Sequence, residues 1–114
     1  MRPPQELEGT TTWDKLFTRE ARFRRFLLRT DGIAFEFDYD RSQYSGSFAK
    51  QPDGSFAGRF SARGQGGLRS GRGTCQITET DDGYSLDGIW FEREEGGAER
   101  TYSDWHADLY PVEA

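Results

Sequence analysis
From residue 31 onward, large apolar side chains recur at every second position, and three times the residue between two of them on the same face is glycine. Tyr44-x-Gly46-x-Phe48 is followed, across Pro52-Asp53-Gly54, by Phe56-x-Gly58-x-Phe60, and a weaker copy stands at Leu86-x-Gly88-x-Trp90. A period of two is the signature of a half-buried strand, because successive side chains point to opposite faces. Ile33, Phe35, Phe37 and Tyr39 alternate with Ala34, Glu36, Asp38 and Asp40, so one face of that strand is apolar and the other polar. The same reading gives inner faces of Cys75 and Ile77, of Tyr84, Leu86, Gly88 and Trp90, and of Trp105, Ala107 and Leu109. Asp31-Gly32, Pro52-Asp53-Gly54, Asp82-Gly83 and Gly96-Gly97 separate these runs and carry turn chemistry. Consecutive strands joined by tight turns make an antiparallel meander.

The first thirty residues admit two readings. "WDKLFTREARFRRFLLR" draws as a helix, but its apolar arc has Glu20 and Arg24 in the middle. A hairpin across Asp31-Gly32 instead pairs Leu28 with Phe35, Phe26 with Phe37 and Arg25 with Asp38, matching like with like and opposite charges with each other. The hairpin is preferred for 24–30, with a short helix allowed near 13–21. "LEGTTTW" (7–13) adds a first strand with Leu7, Gly9, Thr11 and Trp13 on one face. The expected fold is all-β: an antiparallel meander of seven or eight strands closing into a small barrel or a coiled sandwich, one domain over residues 1–114.

Composition supports a folded chain with an unusual core. Leu, Ile, Val and Phe number only 20 of 114 residues, but 17 aromatic residues supply the area those lack, at ~150–250 Å² each. A net charge of −5 argues against non-specific binding to nucleic acid or an anionic membrane. One cysteine, Cys75, leaves no intramolecular disulfide and no cysteine-cluster metal site, and its inner-face position suits a small inert hydrophobe. No apolar run reaches the ~18 residues of a membrane span, and no apolar signal segment opens the chain, so a cytoplasmic protein is expected.

Glycine within a strand costs roughly 0.5–1 kcal/mol relative to alanine, so three inner-face glycines require compensation. Two readings stand: Gly46, Gly58 and Gly88 make room for neighbouring rings in a coiled sheet, or they open a cavity. In the second reading Tyr44, Phe48, Phe60 and Trp90, with the three glycines, line a ligand site. The Gly-x-aromatic strands in a continuous meander behind "LEGTTTW" resemble the avidin and lipocalin group of up-and-down barrels. The resemblance implies a small ligand in the barrel mouth. It is architectural, since Gly9 and Trp13 stand four apart, and it carries over no functional residue.

Candidate chemistry is sparse. "DWHAD" sets His106 between Asp104 and Asp108 on one strand face, with Tyr102 and Tyr110 beyond, a pattern that raises an imidazole's pKa and could orient it as a general base. The bland alternative is a solvated outer-face histidine. A single histidine leaves any metal site dependent on carboxylates, so no metal or cofactor is expected. Glu36, Asp38 and Asp40 form an acidic row suited to ion pairs with Arg25 or its neighbours. "RGQGGLRSGRG" (63–73) reads as a glycine-rich hairpin loop that could also meet an anion through its backbone amides. The leading expectation is a non-catalytic binding module for a small, mostly apolar molecule or a protein partner. An enzyme using His106 with Asp104 or Asp108 is the alternative, and a protein-interaction or inhibitor-type domain whose "TREARFRRFLLR" segment meets a partner is the third.

Overall fold
The computed structural model describes residues 4–13, 20–64, 67–94 and 96–112. Eight strands follow in order: β1 (Gln5–Trp13), β2 (Ala21–Leu28), β3 (Gly32–Tyr39), β4 (Ser42–Lys50), β5 (Phe56–Gly64), β6 (Gly67–Glu79), β7 (Tyr84–Glu94) and β8 (Glu99–Pro111). Each pairs antiparallel with the next, and β1 pairs with β8, closing the barrel. The described residues contain no helix. A helix near 13–21 would fall mainly on 14–19, outside the described residues; Trp13 ends β1 and Ala21 opens β2.

The turns follow from their residues. Asp40 and Arg41 both have positive φ (49° and 62°), so the two-residue link from β3 to β4 has the backbone of a type I′ turn, whose twist matches that of the strands. Between β4 and β5, Gly54 takes φ 90°, and Asp53 Oδ1 accepts hydrogen bonds from the Ser55 amide (2.9 Å) and hydroxyl (2.6 Å). Between β6 and β7, Thr80 Oγ1 accepts from the Gly83 amide at 3.1 Å.

The cross-strand register explains the glycines. Gly46 lies opposite Phe35 on one side and Phe60 on the other, and Phe60 in turn lies opposite Gly71. Gly58 lies opposite Phe48, Gly73 opposite Trp90, and Gly88 opposite Trp105. A β-carbon on Gly46 would run into the Phe35 ring, and one on Gly71 would come 2.6 Å from Phe60 Cε1. On Gly73 it would lie 2.9 Å from Phe48 Cζ. The rings of Phe35, Phe60 and Phe48 therefore spread over the missing side chains of Gly46, Gly71 and Gly73, the arrangement used to cover glycines in curved sheets. The interior is solid. Trp90, Trp105, Phe26, Phe35, Phe37 and Phe48 are fully buried, and Trp90 stacks on Phe60 with ring centroids 3.8 Å apart. An interior just filled by side chains is what about eight strands enclose.

Three local expectations need correction. The β2–β3 hairpin pairs Phe26 with Phe35 and Leu28 with Ile33, two residues out from the expected register. Its link is longer than a two-residue turn, with the Arg29 amide bonded to the Gly32 carbonyl (2.8 Å). A slip of two keeps every side chain on its face, but it sets Arg25 opposite Glu36, and Asp38 meets Arg24 instead (3.3 Å). Second, "RGQGGLRSGRG" is not mainly loop: β5 runs to Gly64 and β6 starts at Gly67. Gly71 and Gly73 serve Phe60 and Phe48, as the inner-face glycines of β4 and β5 serve their own rings. Third, a bulge between the Gly88 and Trp90 pairings of β7 and β8 sets Trp105 opposite Gly88 and Tyr102 opposite Trp90. That extra residue turns Tyr102 off the His106 face and packs it against the core.

Candidate functional site
The end of the barrel where β1, β3 and β7 finish and β4, β6 and β8 begin is not filled. A cavity of about 90 Å³ opens there, room for roughly three water molecules by their share of liquid volume. Its walls are the rings of Trp13, Tyr39, Tyr44, Trp90 and Tyr102, and its charged residues are Arg69 and Glu92. Each element contributes by continuing its inner-face alternation past the packed centre. Glu92 lies two residues beyond Trp90 on β7, and Arg69 lies two before Gly71 on β6.

Glu92 is held on several sides. Its Oε1 accepts from Trp90 Nε1 at 3.0 Å, its Oε2 accepts from the Tyr44 hydroxyl at 3.1 Å, and Arg69 Nη1 lies 3.6 Å from the same Oε2. Arg69 Nη1 also donates to the Tyr44 oxygen at 3.5 Å. The Arg69 and Glu92 side chains are only 17% and 14% exposed, so screening by solvent is reduced. Burial, and then the negative charge of Glu92, push the Tyr44 phenol far above its ordinary pKa, so it remains a neutral donor. The two charges cancel locally, leaving a cavity that is aromatic and near neutral.

Trp13 and Ser42 each carry a buried polar atom without a partner among the described residues, and Trp13 lines this cavity. Trp13 Nε1 is buried and has no hydrogen-bond acceptor among the described residues. Its ring is fixed by edge contacts with Tyr39 (5.2 Å between centroids) and Trp90 (5.7 Å) and by a tilted contact with Phe37 (5.3 Å). By contrast Trp105 Nε1 donates to Thr11 Oγ1 at 2.8 Å and Trp90 Nε1 to Glu92. A buried N–H without an acceptor costs roughly 1–3 kcal/mol.

Of the residues singled out in the sequence, Tyr44 and Trp90 line this cavity. Phe48 and Phe60 lie below it as packed core, and the space beside Gly46, Gly58 and Gly88 is taken by neighbouring rings and strands. Cys75 is buried, which pushes its thiol pKa up to about 12. His106 lies on the outer face of β8. Its Nδ1 meets Asp87 at 2.8 Å and its Nε2 meets Asp108 at 3.1 Å, so Asp87 on β7 takes the place expected for Asp104. Partial burial works against the imidazolium, but hydrogen bonds and charges from Asp87 and Asp108 outweigh it and hold the pKa above its ordinary value. Among the described residues, no group of three His, Cys, Asp or Glu is placed to hold a metal ion.

Trp13 and Tyr39 were expected on inner faces and Tyr102 beside His106, but none of these, nor Arg69 or Glu92, was expected to line a ligand site. For Arg69 and Glu92 a signal was present: each is a charged residue that continues an inner-face run at a strand end, where a barrel opens. Comparison with protein-family models, curated proteins and solved structures finds no match to this chain.

Proposed function
We propose that this barrel is a non-catalytic binding module of calycin-like type that takes a small, mostly apolar ligand into its mouth. The ligand stacks among Trp13, Tyr39, Tyr44, Trp90 and Tyr102 and offers one hydrogen-bond acceptor to Trp13 Nε1. The observation that carries this reading is that buried, unpartnered indole N–H beside an aromatic cavity. Such a combination of apolar walls and a few placed polar groups is what small-molecule sites use. Catalysis through His106 has less support, because both of its ring nitrogens are already engaged by carboxylates, at 2.8 Å and 3.1 Å.

Cyclopentanone, a small apolar ring with one carbonyl, is a suitable probe. Six heavy atoms at ordinary ligand efficiencies correspond to a Kd of about 1 mM or weaker, within reach of ligand-observed NMR. Trp13→Phe keeps the ring and removes the N–H, and should weaken the probe about five- to tenfold, the worth of one hydrogen bond. Equal binding by wild type and Trp13→Phe, or none by either, would count against the site.

A further inference from the structure
A second feature lies on the outside of the barrel, beside the mouth, with which it shares Tyr44 and Arg69. Ser45, Ser61 and Ser70 are opposite one another across β4, β5 and β6, and all three point outward and are exposed. The same cross-strand row continues to Glu36 on β3 and to Arg93 on β7. Strands lie about 4.8 Å apart, so the three hydroxyls form a line roughly 10 Å long with Arg93 at one end. Serines are short and the flanking residues are long. The row is therefore the floor of a trough, walled on one side by Gln43, Arg63 and Leu68. A groove of about 570 Å³ is lined by this floor and wall together with Arg24 and Arg93.

The charge in the trough is not balanced internally. Arg24 meets Asp38, Arg72 meets Glu99 and Arg69 meets Glu92. Among the described residues, Arg63 and Arg93 form no ion pair and Glu36 is the one carboxylate lining the groove. This is a basic trough on a chain of net charge −5. Its cations are arginines, whose planar forks engage sulfate and carboxylate oxygens two at a time. The floor offers hydroxyls, each both donor and acceptor, at a spacing comparable with the length of a sugar ring.

We propose that this trough binds an acidic oligosaccharide, with its sugar hydroxyls on Ser45, Ser61 and Ser70 and its sulfate or carboxylate groups on Arg63 and Arg93. An extended peptide is a poorer fit, because a closed barrel has no free strand edge to which a peptide backbone can add. Single-stranded nucleic acid is a poorer fit too, because the one aromatic that lines the groove among the described residues, Tyr44, is buried and offers no stacking platform.

The test is calorimetric titration of the full chain with a chondroitin sulfate hexasaccharide, the same hexasaccharide without sulfate, and a hexathymidylate. The sulfated sugar should bind, the desulfated one more weakly and the oligonucleotide least. Arg63→Ala and Arg93→Ala should each lose about tenfold, the worth of one charge-assisted hydrogen bond. Ser61→Leu, which fills the floor with an exposed side chain, should abolish sugar binding while leaving cyclopentanone binding at the mouth unchanged. Failure of the sulfated sugar to bind, equal binding of the oligonucleotide, or wild-type affinity in all three variants would overturn the proposal.

Discussion

Replacing Gly46 with alanine places a methyl group against the ring of Phe35, 2.7 Å from Cε1 and 3.0 Å from Cε2. Phe35 has nowhere to go. It is 1% exposed and touches Phe48, Trp105, Trp90, Phe23, Phe26 and Phe37, with centroids 5.4–6.2 Å away. Overpacking of this kind costs ~1–3 kcal/mol. The loss of glycine's freedom in the unfolded chain offsets ~0.4–1 kcal/mol of that. The two ranges leave a net loss between about 0 and 2.6 kcal/mol, with midpoints giving about 1.3 kcal/mol. Gly58→Ala and Gly88→Ala should cost at least as much, because their methyls meet backbone: Phe48 Cα at 2.7 Å and Cys75 Cα at 2.8 Å. Strand backbone in a closed barrel yields less readily than a side chain. The assay is urea unfolding followed by tryptophan fluorescence. A double-mutant cycle with Phe35→Leu isolates the cause, since a smaller ring partner should make Gly46→Ala cheaper by at least ~0.5 kcal/mol. Neutral or stabilising effects at all three glycines would refute the packed interior and show that the glycines border empty space.

Trp90→Ala should destabilise by ~3–5 kcal/mol on denaturant titration, since it removes the ring stacked on Phe60 and the donor to Glu92; a loss under ~1 kcal/mol would mean the faces of β7 are reversed. The folded pKa of His106 lies above its unfolded value, so its contribution is complete below about pH 6.5 and fades as pH rises through the raised value. The ring is 40% exposed, which limits the effect to under ~1 kcal/mol, and His106→Gln should remove that part of the pH dependence of stability. An unchanged pH profile in His106→Gln would contradict the clamp between Asp87 and Asp108. Cys75 should react with a thiol reagent only at the rate of unfolding, because burial holds its thiol protonated and covered; rapid labelling of the native protein would contradict that.

Most of the barrel was legible in the sequence because strand faces follow from alternation, and alternation survives slips of two. Ile33 to Tyr39, Tyr44 to Phe48 and Phe56 to Ala62 occupy the faces that their spacing assigns. What alternation does not encode is the insertion of single residues. The bulges between Phe23 and Arg25 and between Gly88 and Trp90 shift parity midway along β2 and β7–β8. They arise from closing the sheet on itself, a requirement of the whole chain that no short stretch records. Tyr102 was misplaced for this reason, and Asp87, which is distant in sequence from His106, was overlooked for another: cross-strand partners are set by register. The glycines of 63–73 read as a loop because composition was weighed over spacing, although Gly71, Gly73 and Cys75 already alternate. The mouth was hidden for the same reason, since Arg69 sits within that stretch.

The central claim, that the centre of the barrel is packed with rings and its interior opens at the mouth, is tested most directly by the three indole N–H signals in a ¹H–¹⁵N spectrum, each assigned by tryptophan-to-phenylalanine substitution. On titration with cyclopentanone, the Trp13 signal should move most as its N–H gains an acceptor, and Trp90 should move less. Trp105, bonded to Thr11 deep in the core, should stay still. Movement of Trp105 with Trp13 unaffected would place the ligand inside the barrel and contradict the claim.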